Sequence, residues 1–233
     1  ASMQLVGLQE TNAAAIFAEV EAEILRLEKV FSLYDPKSEL SRLNQSGVLD
    51  GPSFDLLEVL SLSDRLHRAT DGAFDPSVQP LWTALAMGGD TQAAAAHIGW
   101  ADGGLTYDSA QVRLKPGMAL TLNGVAQGYI TDKIASRLRA NGLRDVLVDM
   151  GEIVGLGNRP DGTPWKMGVA DVDGEILHRV QLSDRALATS AADGTHVGNQ
   201  PHILDPKGAV PAHGLVSVSA PTAALADGLS TAL

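Results

Sequence analysis

Across residues 11–31, apolar side chains recur at Ile16, Val20, Ile24, Leu27 and Phe31, and Glu19, Glu21, Glu23 and Glu28 fall mostly between them. That spacing predicts an amphipathic helix with one buried stripe and one wet face. The turn-rich run Tyr34-Asp35-Pro36-Lys37-Ser38 ends it, and Ser38 is placed to cap a short helical turn through Leu40 and Leu43 to Asn44. A further helix is expected after Gly51-Pro52, with Ser53 as N-cap and Leu56, Leu57, Leu60, Leu62 and Leu66 as its apolar positions. It should stop near Asp71-Gly72.

The middle of the chain changes period. Short β-like runs at 112–114, 120–122 and 146–149 alternate with a helix expected over 128–140. Later runs at 165–169, 176–182, 186–188 and 215–218 predict adjacent, antiparallel strands separated by Gly, Asp and Pro turns. The alanine run 93–96 reads as a plain helical turn. No internal repeat or low-complexity linker interrupts the pattern, which predicts an α+β or α/β fold.

At 233 residues the chain can bury a sizeable core, and a single domain over 1–233 is expected rather than two small ones. Acidic residues outnumber basic ones 28 to 17, for a net charge of -11. Such a surface repels phosphate backbones and anionic lipid, which argues against nucleic acid as a partner. An anionic ligand would bind only where a metal ion, a helix N-terminus or backbone amides overcome that repulsion, so a cation in the site is expected. With no cysteine, disulfides, thiolate metal sites and cysteine nucleophiles are excluded. No apolar run of about 18 residues suggests a membrane span. The opening Ala1-Ser2-Met3 reads as a remnant before a trimmed domain, beyond which a native leader would lie.

Three segments suggest chemistry. In Leu122-Asn123-Gly124-Val125-Ala126-Gln127-Gly128-Tyr129 a strand is expected to run through a glycine loop into a helix, an arrangement that cradles phosphate or simply meets a turn's geometry. Its spacing matches neither the Walker A nor the dinucleotide fingerprint. Asp132, one turn on, suits either a ligand contact or a first-turn acid. In His202-Ile203-Leu204-Asp205-Pro206, His202 is a natural general base near neutral pH, and Asp205 is placed to orient it, act as base itself or bind metal. His196 and His213 flank this region. In the helix expected from Ala220 to the end of the chain, with Thr222 as N-cap, Asp227 and Thr231 are four apart. Two hard oxygen ligands on one helical face can share a magnesium ion.

Taken in order, these segments resemble the ApbE-like family of FAD:protein FMN transferases over nearly the whole chain. The resemblance includes Phe31-Ser32-Leu33-Tyr34 with Ser38-Glu39-Leu40-Ser41-Arg42-Leu43-Asn44, Gly72-Ala73-Phe74-Asp75-Pro76, the Gly124 to Asp132 segment, His202 to Pro206, and Ala226-Asp227-Gly228-Leu229-Ser230-Thr231-Ala232-Leu233. It implies an α+β, T-fold-related domain with mixed or antiparallel sheets flanked by helices. It also implies magnesium held by Asp227, Thr231 and a backbone carbonyl near Gly124. The same resemblance has FAD contacted by Tyr34, Ala73, Phe74, Asp75, Gln127 and Leu204, and makes His202, with Asp205, catalytic. The implied reaction moves FMN from FAD to a threonine or serine of an acceptor flavoprotein, such as a membrane electron-transfer protein, and releases AMP. A periplasmic or exported location, in a subgroup linked to nitrous oxide respiration, goes with it. Gln127 stands where the family's loop usually has lysine, Thr121 where aspartate is common, and Ala191 where glycine is usual. Two other readings of the same groups are a flavin-delivery protein that binds FAD without transfer and a metal-dependent FAD pyrophosphatase.

Overall fold

The first apolar stripe does form a helix. In the computed structural model, which describes residues 2–5, 10–171, 173–198, 200–209 and 211–233, the chain order begins β1 (Ser2–Leu5), α1 (Glu10–Phe31), α2 (Glu39–Ser46), β2 (Val48–Asp50) and α3 (Phe54–Ala69). It continues α4 (Gln79–Met87), α5 (Thr91–Ala95), β3 (Leu105–Tyr107), β4 (Gln111–Leu114), α6 (Asn123–Ala140), β5 (Val146–Asp149), β6 (Ile153–Leu156) and β7 (Trp165–Ala170). The last elements are β8 (Ile176–Leu182), β9 (Arg185–Ala191), β10 (His196–Val197), β11 (Gln200–Pro201), β12 (Leu215–Ala220) and α7 (Ala223–Ala232). Among the described residues, no helix is long and apolar enough to cross a membrane.

Two compact units are assembled from separated segments. The first comprises the described residues of Ala1–Arg26, Val125–Ser190 and Leu215–Ser230. Its five-stranded sheet has the order β1-β5-β6-β9-β12, antiparallel along β1/β5, β5/β6 and β6/β9. Alternation along β5 separates two cores. Val146 and Val148 join Val20 of α1 and Ile134 and Leu138 of α6, whereas Leu147 joins Trp165, Val169, Leu182 and Leu187. A strand buried on both faces reads as a continuous apolar run because each parity has its own core to fill. The β7/β8 hairpin supplies that second core, and Trp165 donates its indole N–H to the Leu156 carbonyl at 2.9 Å. Ser2 and Met3, expected as part of a remnant, pair with Asp149 and Val148 as an edge of this sheet.

The second unit comprises Leu27–Gly124, the described residues of Ala191–Gly214, and Thr231–Leu233. Fully buried Leu40, Leu43, Leu56, Leu60 and Leu66 form much of its interior. The antiparallel sheet β2-β4-β3 lies in the same unit. The expected caps are present: the Ser38 hydroxyl accepts the Ser41 amide at 3.0 Å, and the Ser53 hydroxyl accepts the Leu56 amide at 3.2 Å. Each satisfies one of the amides that a helix start leaves without an intrahelical partner.

Two expectations are corrected. Residues 120–122 form no strand, because the backbone of Leu120 pairs with the Asn44 side chain instead of a ladder: its amide donates to Oδ1 at 2.7 Å and its carbonyl accepts from Nδ2 at 2.8 Å. The helix expected over 128–140 starts at Asn123, so the supposed glycine loop is its first turns, with Gly124 off helical angles at φ -84° and ψ 15°. The expected strand-to-helix glycine loop is a kinked helix start.

Candidate active site

In the first unit, α6 and α7 meet at Gly128. A Cβ there would overlap the Ala223 carbonyl and lie 2.7 Å from the Ala224 Cα, so only glycine permits this approach. Close to the kinked start of α6, the Gly128 amide has a partner outside the helix. That partner is Asp227, whose Oδ2 accepts it at 3.0 Å. Asp132 lies beyond the first turn of α6, so it is not the first-turn acid of that helix. Its two oxygens accept the Ala223 and Ala224 amides at 2.8 and 2.9 Å, so the carboxylate of α6 fastens the start of α7.

Asp227 is only 4% exposed. Burial pushes its carboxyl up to about 7, against the Gly128 amide that lowers it, and the charge of Asp132 adds to the rise. Glu152, in the turn between β5 and β6, is pushed up to about 8 by burial and by the charges of Asp227 and Asp149. Its Oε2 is shut from solvent and has no hydrogen-bond partner among the described residues. Desolvated acids facing other acids are the chemistry of a site that receives a cation. Among the described residues, no three or more His, Asp or Glu side chains gather in metal-binding geometry.

Thr231 lies one turn beyond Asp227 on α7. Within the second unit its side chain packs on Gly124, where a Cβ would stand 2.8 Å from the threonine methyl. Gln127 belongs to the first unit, and its Nε2 donates to the Met150 carbonyl at 2.6 Å.

The second unit carries the remaining expected residues. His202 does not face Asp205: its Nδ1 lies 3.0 Å from the Thr195 carbonyl, while Asp205 Oδ1 accepts the Lys207 amide at 2.6 Å. Asp205 is thus committed to its own turn, and the orienting partner of His202 is a backbone carbonyl. Phe74 is buried, and Asp75 Oδ1 accepts both the amide and the hydroxyl of Ser77 at 2.8 and 2.6 Å. Ala73 and Leu204 are half-buried, whereas Tyr34 is 88% exposed. Lys207 Nζ donates to the Asp71 carbonyl at 2.9 Å, tying the His202–Asp205 segment to the turn before Ala73.

A family model for the ApbE family matches residues 2–233. The chain belongs to the ApbE family. One relative of this ApbE-family chain, the FAD:protein FMN transferase of Klebsiella pneumoniae (strain 342), is 28% identical over 261 residues, covering 99% of this chain and 74% of its own. Another, the FAD:protein FMN transferase of Chlamydia trachomatis serovar D, is 30% identical over 246 residues, covering 93% and 76%. The solved flavin transferase ApbE from Vibrio cholerae matches with a TM-score of 0.82 at 27% identity, over 98% of this chain and 80% of that one. The α+β class with antiparallel sheets flanked by helices, implied by the resemblance, is the ApbE fold observed.

Sequence reasoning missed Glu152, the Asp132 clasp and Lys207. Only Asp132 carried a local signal, and its partners lie 91 and 92 residues away.

Proposed function

We propose that this chain is an FAD:protein FMN transferase, which cleaves FAD with magnesium and attaches FMN through a phosphoester to a threonine or serine of an acceptor flavoprotein. The observation that carries the reading is the ApbE-family match over residues 2–233; the buried, acid-flanked Asp227 supports the cation. Asp227 and Thr231, with the Gly124 carbonyl, are the proposed ligands. When bound, magnesium neutralises pyrophosphate charge during in-line displacement.

His202 is the proposed base. A nitrogen facing a carbonyl must carry the proton, so with Nδ1 directed at Thr195 the Nε2 lone pair is left for the acceptor hydroxyl. As Nε2 takes that proton, the hydroxyl oxygen bonds to the FMN phosphorus and the bond to the AMP phosphate oxygen breaks, releasing AMP. Tyr34, Ala73, Phe74, Asp75, Leu204 and Gln127 are the proposed FAD contacts. Gln127 is neutral and engaged with Met150, so phosphate charge is left to the cation.

The test is product balance with FAD, magnesium and an acceptor polypeptide. Equal amounts of AMP and FMN-bearing acceptor are expected. AMP and free FMN with unlabelled acceptor would instead mark an FAD pyrophosphatase.

A further inference from the structure

The β5–β6 turn is held firmly for a segment that displays an acid. The Met150 amide donates to the Glu152 carbonyl at 3.0 Å, the Gly151 amide donates to Asp149 Oδ1 at 3.2 Å, and Gln127 of α6 donates to the Met150 carbonyl. Gly151, at φ 98°, lies so close to the Gln127 amide that a Cβ there would overlap it. This frame holds Glu152 at 8% exposure with one oxygen closed to solvent and without a donor. The groups whose charge bears on it are the carboxyls of Asp227 on α7 and Asp149 at the start of its own turn. Among the described residues this carboxyl has no donor for its closed oxygen, and with acidic neighbours it can ionise in place only when positive charge arrives beside it.

We infer that Glu152 is a further carboxylate of the cation site, facing Asp227 from the β5–β6 turn and acting on the ion through its water shell rather than as a direct ligand. Hard divalent ions that keep their waters are positioned by carboxylates accepting hydrogen bonds from those waters. The inference rests on Asp227 as a cation ligand and adds a residue from a different element.

The test is Mn2+ binding to the full chain without FAD, read from loss of the free-ion electron paramagnetic resonance signal, with Mg2+ competition. Asp227→Asn should abolish binding. Glu152→Gln, which keeps the shape and removes the charge, should weaken it about 10- to 100-fold without lowering the metal-free thermal midpoint. Glu152→Ala should weaken it at least as much. Unchanged affinity in both Glu152 variants, with binding lost in Asp227→Asn, would overturn the role of Glu152 alone. Absence of binding in the wild type, or full binding in Asp227→Asn, would overturn the cation site itself and this inference with it.

Discussion

The α6–α7 contact and the segment around His202 hold their chemistry in opposite ways. At the contact, Asp227 is buried, bonded to the Gly128 amide, and carried on a helix whose start is clasped by Asp132. Around His202 the chain runs through two-residue strands and tight turns, and one carbonyl aligns the ring. A charge kept out of water needs a rigid frame, because any loosening lets water or a neutralising proton replace the ion. His202, the proposed base, would need access to a second polypeptide instead.

Within the His202 segment the large effect is His202→Ala, which should lower the transfer rate about 10²- to 10⁴-fold while leaving Mn2+ affinity intact. Asp205→Asn should leave the rate close to wild type, because Asp205 serves its own turn. Rate assays on both variants check this, and equal losses would restore Asp205 as the partner of His202.

Gly128→Val attacks the frame directly. Overpacking against the α7 backbone should cost about 3 kcal/mol in urea unfolding. Gly208→Ala, in open space at φ 80°, should cost only about 1–2 kcal/mol from its left-handed backbone. Asp132→Ala should follow at about 1–2 kcal/mol, the scale of a lost helix cap, with weaker metal binding as α7 loosens.

A separate test is in pH. The carboxyls of Asp227 and Glu152 are raised in the folded state to about 7 and about 8, above unfolded values near ~4. Their contribution to metal-free stability is therefore fully present below pH ~4 and is lost as pH rises through about 7 and 8. Mg2+ should reverse that decline, and its affinity should climb over the same window as protons leave. Thermal unfolding with and without Mg2+ across this range checks both signs.

Much of the frame was legible because its signals are local. The apolar stripe of α1, the serine caps of α2 and α3, and the apolar run of β5 each follow from residues within a few positions of one another. What was not legible depends on distant partners. Residues 120–122 have a strand's composition, but Leu120 is claimed by Asn44, 76 positions earlier. Asp132 reads as either a ligand contact or a first-turn acid until α7 is brought to it. Glu152 has no motif around it and becomes notable only when the fold closes it off from water beside Asp227. His202 and Asp205 have the spacing of a catalytic pair, yet tight-turn geometry turns the aspartate toward Lys207.

The most direct test of the central claim is the intact mass of an acceptor polypeptide carrying a threonine site after incubation with FAD. A gain of one FMN-phosphoryl group with wild type and Mg2+, lost on chelation and in Asp227→Asn, is the predicted result. An acceptor of unchanged mass beside wild-type protein that binds both FAD and Mg2+ would contradict the account.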